Sequence, residues 1–383
     1  MTLLTASQAA TFADLAYDTA VAADSAAAEW RAQGSLAALQ KRNAGTFGAF
    51  STCAGITGRS GAFDLKQDSG FGAIFERRAP AREMVIAFRG TVSALDWVSN
   101  LNVGMEAGPG GAIVHAGFNR IYATLRDELR ALIARGNPEV LHFVGHSLGG
   151  CMATLAMADF GLATGGRACH LYTFGTPRIG GVGLNTALRC VLTPSSMRRV
   201  YSVSDPVPML PLLPFMHFAT GATGLDFGFA RITPLAHDRI QYRNRMPAEG
   251  WPTLAPVPVK SDPDYWLGLV ERSQGFSALG YRALSMALAG IMALLNLGGL
   301  ALSAGITVLD RMVEAISNAA HLSRRIGDLT LRFVRAALGL VGRAAMAATA
   351  TLADLTAEFL RLVFALLLAP VQNAARLAIS QAA

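Results

Sequence analysis

Apolar positions in the first 250 residues follow two alternating rhythms. Short runs dense in aliphatic and aromatic residues, FGAIFERR (71–78), REMVIAFRG (82–90), EVLHFV (139–144), CHLYTFG (169–175) and RRVYSVS (198–204), have the length and composition of strands. Between them, residues 118–135 place Phe118, Ile121, Tyr122, Leu125, Leu129, Leu132 and Ile133 at helical spacing, and Gly136-Asn137-Pro138 ends the pattern. A further helix is expected from Ser147 to about Gly161. Another is expected over 5–30, with Thr5 or Ser7 as its cap. The Gly- and Ser-rich stretch between that helix and residue 71 reads as a loop. Strands alternating with helices imply βα units: an α/β fold with a mostly parallel sheet covered on both faces.

The rhythm changes after residue 250. WPTLAPVPVKSDP (251–263) carries four prolines and reads as a linker or surface strap. From Ala283 to Leu309 there are 27 residues without a charge, long enough as a helix (about 40 Å) to span a bilayer. Gly290, Gly298, Gly299 and Gly305 instead allow a hairpin of two short helices. Residues 322–343 set Leu322, Ile326, Leu329, Phe333 and Val334 against Arg324, Arg325, Arg332, Arg335 and Arg343, an amphipathic pattern suited to an anionic membrane surface. The run LVFALLLAP (362–370) is too short to span alone. The expected organisation is an α/β unit over 1–250, a Pro-rich linker over 251–275 and a hydrophobic helical region over 276–383. That last region either meets membrane or packs as a soluble cap.

Composition narrows the function classes. Hydrophobic residues make up 52% of the 383, and the mean hydropathy of +0.36 is high for a soluble enzyme. The formal charge is +7, and of 33 basic residues only Lys41, Lys66 and Lys260 are lysines, which leaves thirty arginines. That bias reads as a G+C-rich genome, with a bacterial source as the expectation. Basic residues do not cluster with aromatics in the first 250 residues, so no nucleic-acid partner is expected. Cys53, Cys151, Cys169 and Cys190 have no metal-ligand spacing and read as buried thiols; no metal and no cofactor are expected. The N-terminus lacks a basic region before its first apolar run, so it does not read as a conventional secretory signal.

The candidate chemistry lies in GHSLGG (145–150), placed between an apolar run and a helix of small residues. A serine nucleophile there needs a sharp strand-to-helix turn that projects its oxygen above the sheet. Gly145 and Gly149 remove the β-carbons that would clash in such a turn. Leu148 would supply a backbone N–H at the helix N-terminus, where the dipole favours a developing oxyanion. Ser147 also needs a base and an acid. Asp205, in SDPVP at the end of the strand 198–204, is placed to enter the site as the acid. Two histidines follow, His217 in PFMHFATGA and His237 in PLAHDRIQY, and spacing alone does not choose between them. His321 lies in the atypical C-terminal region and reads as a helix-surface residue.

The segments VIAFRGT (85–91), DWVSNLN (96–102), VHAGF (114–118), GHSLGG, YTFGTPRIGG (172–181), SDPVPMLP (204–211) and AHDRIQY (236–242) occur in an order and spacing that resemble a class 3 lipase. That group includes fungal triacylglycerol lipases, diacylglycerol lipases and plant and bacterial relatives. The resemblance covers roughly residues 70–245. It implies an α/β-hydrolase fold, a catalytic triad of Ser147, Asp205 and His237, and His217 as a structural residue. It also implies an oxyanion hole from Thr91 and Leu148, and a lid over 92–113 with Asp96 and Trp97, where Gly108, Gly110 and Gly111 would give mobility. His146 is given no catalytic step. The implied activity is hydrolysis of acyl esters of lipids or phospholipids through an acyl-enzyme; the tail, which lies outside the resemblance, adds from its hydropathy the expectation that residues 276–383 meet a membrane surface. Alternatives are a short-chain carboxylesterase with a helical cap, or a toxin effector or membrane-interaction protein whose tail is the active part. A secreted toxin would have an immunity protein as partner.

Overall fold

The computed structural model describes residues 3–19, 50–60, 67–90, 104–163, 168–193, 196–211, 215–217, 222–229, 231–252, 262–273, 275–295 and 308–382. Nine strands lie among them: β1 (Ser51–Ser60), β2 (Gln67–Arg77), β3 (Glu83–Phe88), β4 (Met105–Ala107), β5 (Ile113–His115), β6 (Val140–His146), β7 (Ala168–Phe174), β8 (Met197–Ser202) and β9 (Ala222–Leu225). Seven form one sheet in the order β1-β2-β3-β6-β7-β8-β9. The pairs β1–β2 and β2–β3 are antiparallel, and every pair from β3 to β9 is parallel. β3 and β6 are buried along their whole length, as strands covered on both faces must be.

Helices α1 (Ala6–Leu15), α2 (Ala116–Gly136), α3 (Leu148–Ala163), α4 (Val182–Val191) and α5 (Arg239–Asn244) flank the sheet. α2 buries Phe118, Tyr122, Leu125, Leu129 and Ile133, and it ends where Asn137 takes a left-handed conformation (φ 40°) and returns its N–H to the Ile133 carbonyl. α3 is apolar all round and lies inside the core. α1 covers the other face, with Phe12 and Leu15 packed against Phe75, Val85, Val144 and Phe174. Asp14 at its end binds Arg239 Nε (2.8 Å) and Arg243 Nη1 (2.6 Å) of α5. This mostly parallel sheet between helical layers, with an antiparallel edge, is the α/β-hydrolase fold.

Four strands escaped the hydropathy pattern: β1 and β9 of the main sheet, and the short β4 and β5. β1 and β9 fall in Gly- and Thr-rich sequence, and it is pairing with β2 and β8 that extends them. β4 and β5 form a separate hairpin that starts in the expected lid and runs past its end at residue 113. There Gly110 (φ 67°) and Gly111 (φ 75°) supply the turn, and His115 N–H bonds the Ile179 carbonyl at 2.8 Å. Of the described cysteines, Cys151 and Cys169 are buried, whereas Cys190 is exposed on α4 rather than buried.

The C-terminal part contains α6 (Pro263–Glu271), α7 (Ala278–Leu294), α8 (Val308–Leu322), α9 (Arg324–Leu340), α10 (Ala344–Thr349) and α11 (Ala357–Ala382). α6 lies inside the segment expected as a linker. Asp262 caps it, Pro263 starts it, and Trp266, Leu267 and Val270 bury its apolar side. The uncharged stretch 283–309 is helical in α7 up to Leu294, and residues 296–307 lie outside the described residues. The apolar side of α9 (Leu329, Phe333, Val334, Ala337, Leu338) is taken up by the protein core, and Arg332 pairs with Glu271 and Asp264. Residues 362–370 belong to α11, the one described helix long and apolar enough to cross a membrane; 44% of its most apolar window is buried inside the protein. Leu360, Val363, Phe364, Leu367 and Val371 join the same apolar cluster as Leu148, Val207 and Leu210. α11 also packs directly on the turns Val207–Met209 and Pro234–His237.

Candidate active site

The turn between β6 and α3 is strained. Ser147 has φ 58°, a left-handed conformation that L-residues rarely adopt. The chain tolerates it because the neighbouring glycines admit close contact. A Cβ on Gly145 would strike the Gly149–Gly150 peptide, one on Gly149 would strike the Phe88 and Arg89 carbonyls, and one on Gly150 would strike Thr176. The turn is fixed by the Ser147 N–H, which donates to the Phe174 carbonyl at 2.9 Å, and by the Gly150 N–H, which donates to Ser147 O at 3.0 Å.

Ser147 Oγ lies 2.8 Å from His237 Nε2, and His237 Nδ1 lies 2.9 Å from Asp205 Oδ2. Ser147 is 3% exposed; His237 and Asp205 are fully buried. The turn after β6 carries the serine, the loop after β8 the aspartate, and the single turn Pro234–His237 the histidine. Asp205 is held from three sides. Its Oδ1 accepts the Val207 N–H (2.9 Å), and its Oδ2 accepts the Tyr242 hydroxyl (2.7 Å) as well as facing His237. The Tyr242 oxygen in turn accepts the Ser202 N–H at 2.8 Å. Burial, and then the adjacent Asp205 charge, push the Tyr242 hydroxyl well above its ordinary value, so it remains a donor across the working pH range. His217 forms no part of this chain of bonds; its Nε2 faces the Pro208 carbonyl at 2.6 Å.

His146 has a place that the sequence pattern did not reveal. Its Nε2 is 2.9 Å from the His237 carbonyl and its Nδ1 is 2.7 Å from the Tyr17 hydroxyl. A carbonyl only accepts, so Nε2 carries the proton and Nδ1 accepts from Tyr17. Burial, then the neighbouring His237, hold His146 well below the usual histidine range, which keeps it neutral. The ring thus ties the backbone of His237 to α1's C-terminal extension. Tyr17 is 129 residues from His146 in sequence, so no local signal could have disclosed the pair.

The oxyanion side is described in part. The Leu148 N–H opens α3, among the first-turn donors with no partner inside the helix. Gly90 abuts the serine so closely that a Cβ there would lie 2.9 Å from Ser147 Cβ, and Arg89 clamps this turn by donating to the Gly70 carbonyl and, at 2.7 Å, to the Gly90 carbonyl. Thr91, Asp96 and Trp97 lie outside the described residues.

Residues 85–215 match the family model for class 3 lipases. The chain is 36% identical over 159 residues to a secreted mono- and diacylglycerol lipase of Penicillium cyclopium, covering 39% of this chain and 46% of the relative. It is 32% identical over 151 residues to one from Fusarium solani, covering 37% and 44%. A chloroplastic phospholipase A(1) of Arabidopsis thaliana is 36% identical over 127 residues, covering 27% and 28%. The chain therefore spans less than half the length of these relatives. Among solved structures, the Lip2 lipase of Yarrowia lipolytica is similar at a TM-score of 0.43 and 16% identity, over 61% of this chain and 81% of that one. Over residues 85–215, the chain is similar to the class 3 lipases.

Proposed function

We propose that the protein hydrolyses carboxylic esters of glycerolipids through an acyl-enzyme formed on Ser147. The observation that carries this reading is the pair of short contacts at His237, to Ser147 Oγ at 2.8 Å and to Asp205 at 2.9 Å. His237 Nε2 takes the Ser147 proton as Oγ attacks the ester carbonyl. Asp205 keeps the other ring nitrogen protonated and stabilises the imidazolium that forms. The backbone N–H groups of Leu148 and Thr91 receive the oxyanion, at a helix N-terminus whose dipole favours negative charge. His237 then protonates the leaving alcohol, and water releases the fatty acid by the reverse sequence. His146 acts on this chemistry by holding the His237 backbone in register.

Lipid is the substrate class that the relatives and the exposed surface favour together. Leu235 stands beside His237 and is 56% exposed, and Leu362 and Leu377 are exposed on the helix that packs against that turn. These exposed leucines are the contacts we assign to a membrane surface. The test is fatty-acid release by wild type and Ser147→Ala from short-chain esters, diacylglycerol and phospholipid vesicles. Loss of at least about a thousandfold in the variant is expected. Release that does not depend on Ser147 would overturn the assignment. Vesicle flotation tests the surface, and wild-type flotation after Leu235→Asp and Leu362→Asp would remove it.

A further inference from the structure

On the sheet face opposite α1, β8 and α7 enclose a group of cations that the ester chemistry does not use. Arg199, in the middle of β8, is 8% exposed, and its Cζ lies 4.5 Å from the Tyr201 ring centroid. Arg282 of α7 approaches the same ring, with Cζ at 6.0 Å. Arg178, in the loop after β7, donates Nη1 to the Pro211 carbonyl at 3.1 Å. The three guanidiniums lie close enough to oppose one another. Burial, and then Arg282 and Arg178, overcome the help of Tyr201 and bring the Arg199 guanidinium down to about 10. His217, on the rim, is pushed well below its ordinary value by burial and by the same three arginines.

Tyr281 adds an independent sign. It is 1% exposed, it lies near Arg178, and its hydroxyl has no hydrogen-bond partner among the described residues. A buried hydroxyl without a partner and like charges gathered at low dielectric both raise the free energy of the folded chain. One ligand relieves both: a compact oxyanion that accepts from the guanidinium forks and from the phenol. Arg178, Tyr201, Arg282 and His217 are half-buried, so the group remains reachable.

We propose that Arg178, Arg199, Arg282 and Tyr281 form a binding site for a phosphate group, presented by a phospholipid headgroup or free in solution. Phosphate suits the donor set better than a carboxylate, because the Arg178 and Arg282 forks and the Tyr281 hydroxyl offer more donors than two oxygens accept. Only the headgroup source rests on the glycerolipid reading of the active site; the binding itself does not.

The experiment measures the unfolding midpoint of the full chain against inorganic phosphate, with chloride at matched ionic strength as reference. A saturable rise with phosphate beyond that with chloride is expected. Arg282→Gln and the isosteric Tyr281→Phe should each weaken the apparent affinity about tenfold, the scale of one charge-assisted hydrogen bond. No phosphate-specific rise in wild type overturns the proposal, whatever the variants do. A rise unchanged in both variants places the anion elsewhere and also overturns it. The source is read from hydrolysis of phosphatidylglycerol and of diacylglycerol in mixed micelles. If the headgroup is the ligand, Arg282→Gln raises KM for phosphatidylglycerol alone and phosphate competes with that substrate. If free phosphate is the ligand, both KM values stay at wild type while the thermal effect persists.

Discussion

Replacing Tyr242 by Phe removes one oxygen from a buried chain of bonds and leaves the ring in place. Two interactions go with it: the 2.7 Å bond to the Asp205 carboxylate and the 2.8 Å bond from the Ser202 N–H. A hydrogen bond to a charged group is worth about 1.5–3 kcal/mol, and a buried N–H left without an acceptor costs about 1–3 kcal/mol. Together these predict a loss of about 2–5 kcal/mol in unfolding free energy, a large part of the margin of a typical domain. Catalysis should suffer less. Asp205 keeps the Val207 N–H and its contact with His237, so the histidine retains its tautomer. The loss of kcat/KM on a soluble ester should be no more than about tenfold. Urea unfolding and steady-state rates on a soluble p-nitrophenyl ester measure both effects. A variant as stable as wild type would refute the bridging role of the hydroxyl. A thousandfold loss of kcat at unchanged stability would refute the claim that Tyr242 acts only through Asp205.

Three further outcomes follow from the same network. His146→Ala frees the His237 carbonyl and leaves the Tyr17 hydroxyl without its acceptor; kcat on a soluble ester should fall about 10–100-fold with KM little changed, and wild-type kcat would dismiss the tether. Gly149→Ala drives a methyl into the Phe88 and Arg89 carbonyls, so the unfolding free energy should drop by about 1–3 kcal/mol with activity lost; a wild-type melting temperature and rate would contradict the close packing of the elbow. The third concerns acid. His146 is held well below its ordinary value by burial, and His170 is lowered to about 4, chiefly by burial. The unfolded chain therefore takes up protons first as pH falls below about 6.5, and stability declines from there until the folded-state values are reached. At pH 5.5 His170 should account for about 1 kcal/mol lost relative to neutral pH, and His146 adds a loss of the same sign. Unfolding free energies that are flat from pH 7.5 to 5.5 would refute this.

Legibility in the sequence followed the range of the forces involved. The strand and helix rhythm of the α/β part was readable because burial on a sheet or helix face imposes a period on neighbouring residues, as in β3, α2 and β6. Ser147 was readable because its backbone geometry demands glycines two positions to either side. Asp205 and His237 carry weaker local marks; the choice between His217 and His237 came from family resemblance, and the structure sets His237 against Ser147 while His217 faces Pro208. Supports at long separation left no mark. Tyr17 on His146, Asp14 between Arg239 and Arg243, and the meeting of Arg178, Arg199 and Arg282 are products of tertiary packing alone. α6 was obscured for the opposite reason, since the prolines before it suggest an end of regular structure while Pro263 serves to begin a helix.

The seam between α11 and the turns that carry Asp205 and His237 has a consequence for inheritance as much as for folding. A segment that only tethers a hydrolase can be exchanged between proteins without regard to what it replaces. Here Leu360, Val363 and Phe364 share one apolar cluster with Val207 and Leu210, beside the acid loop. A substitution that reshapes this cluster in α11 therefore reaches a histidine more than a hundred positions earlier in the chain. A chimera that borrows the tail or the α/β part alone must rebuild its fit to the other.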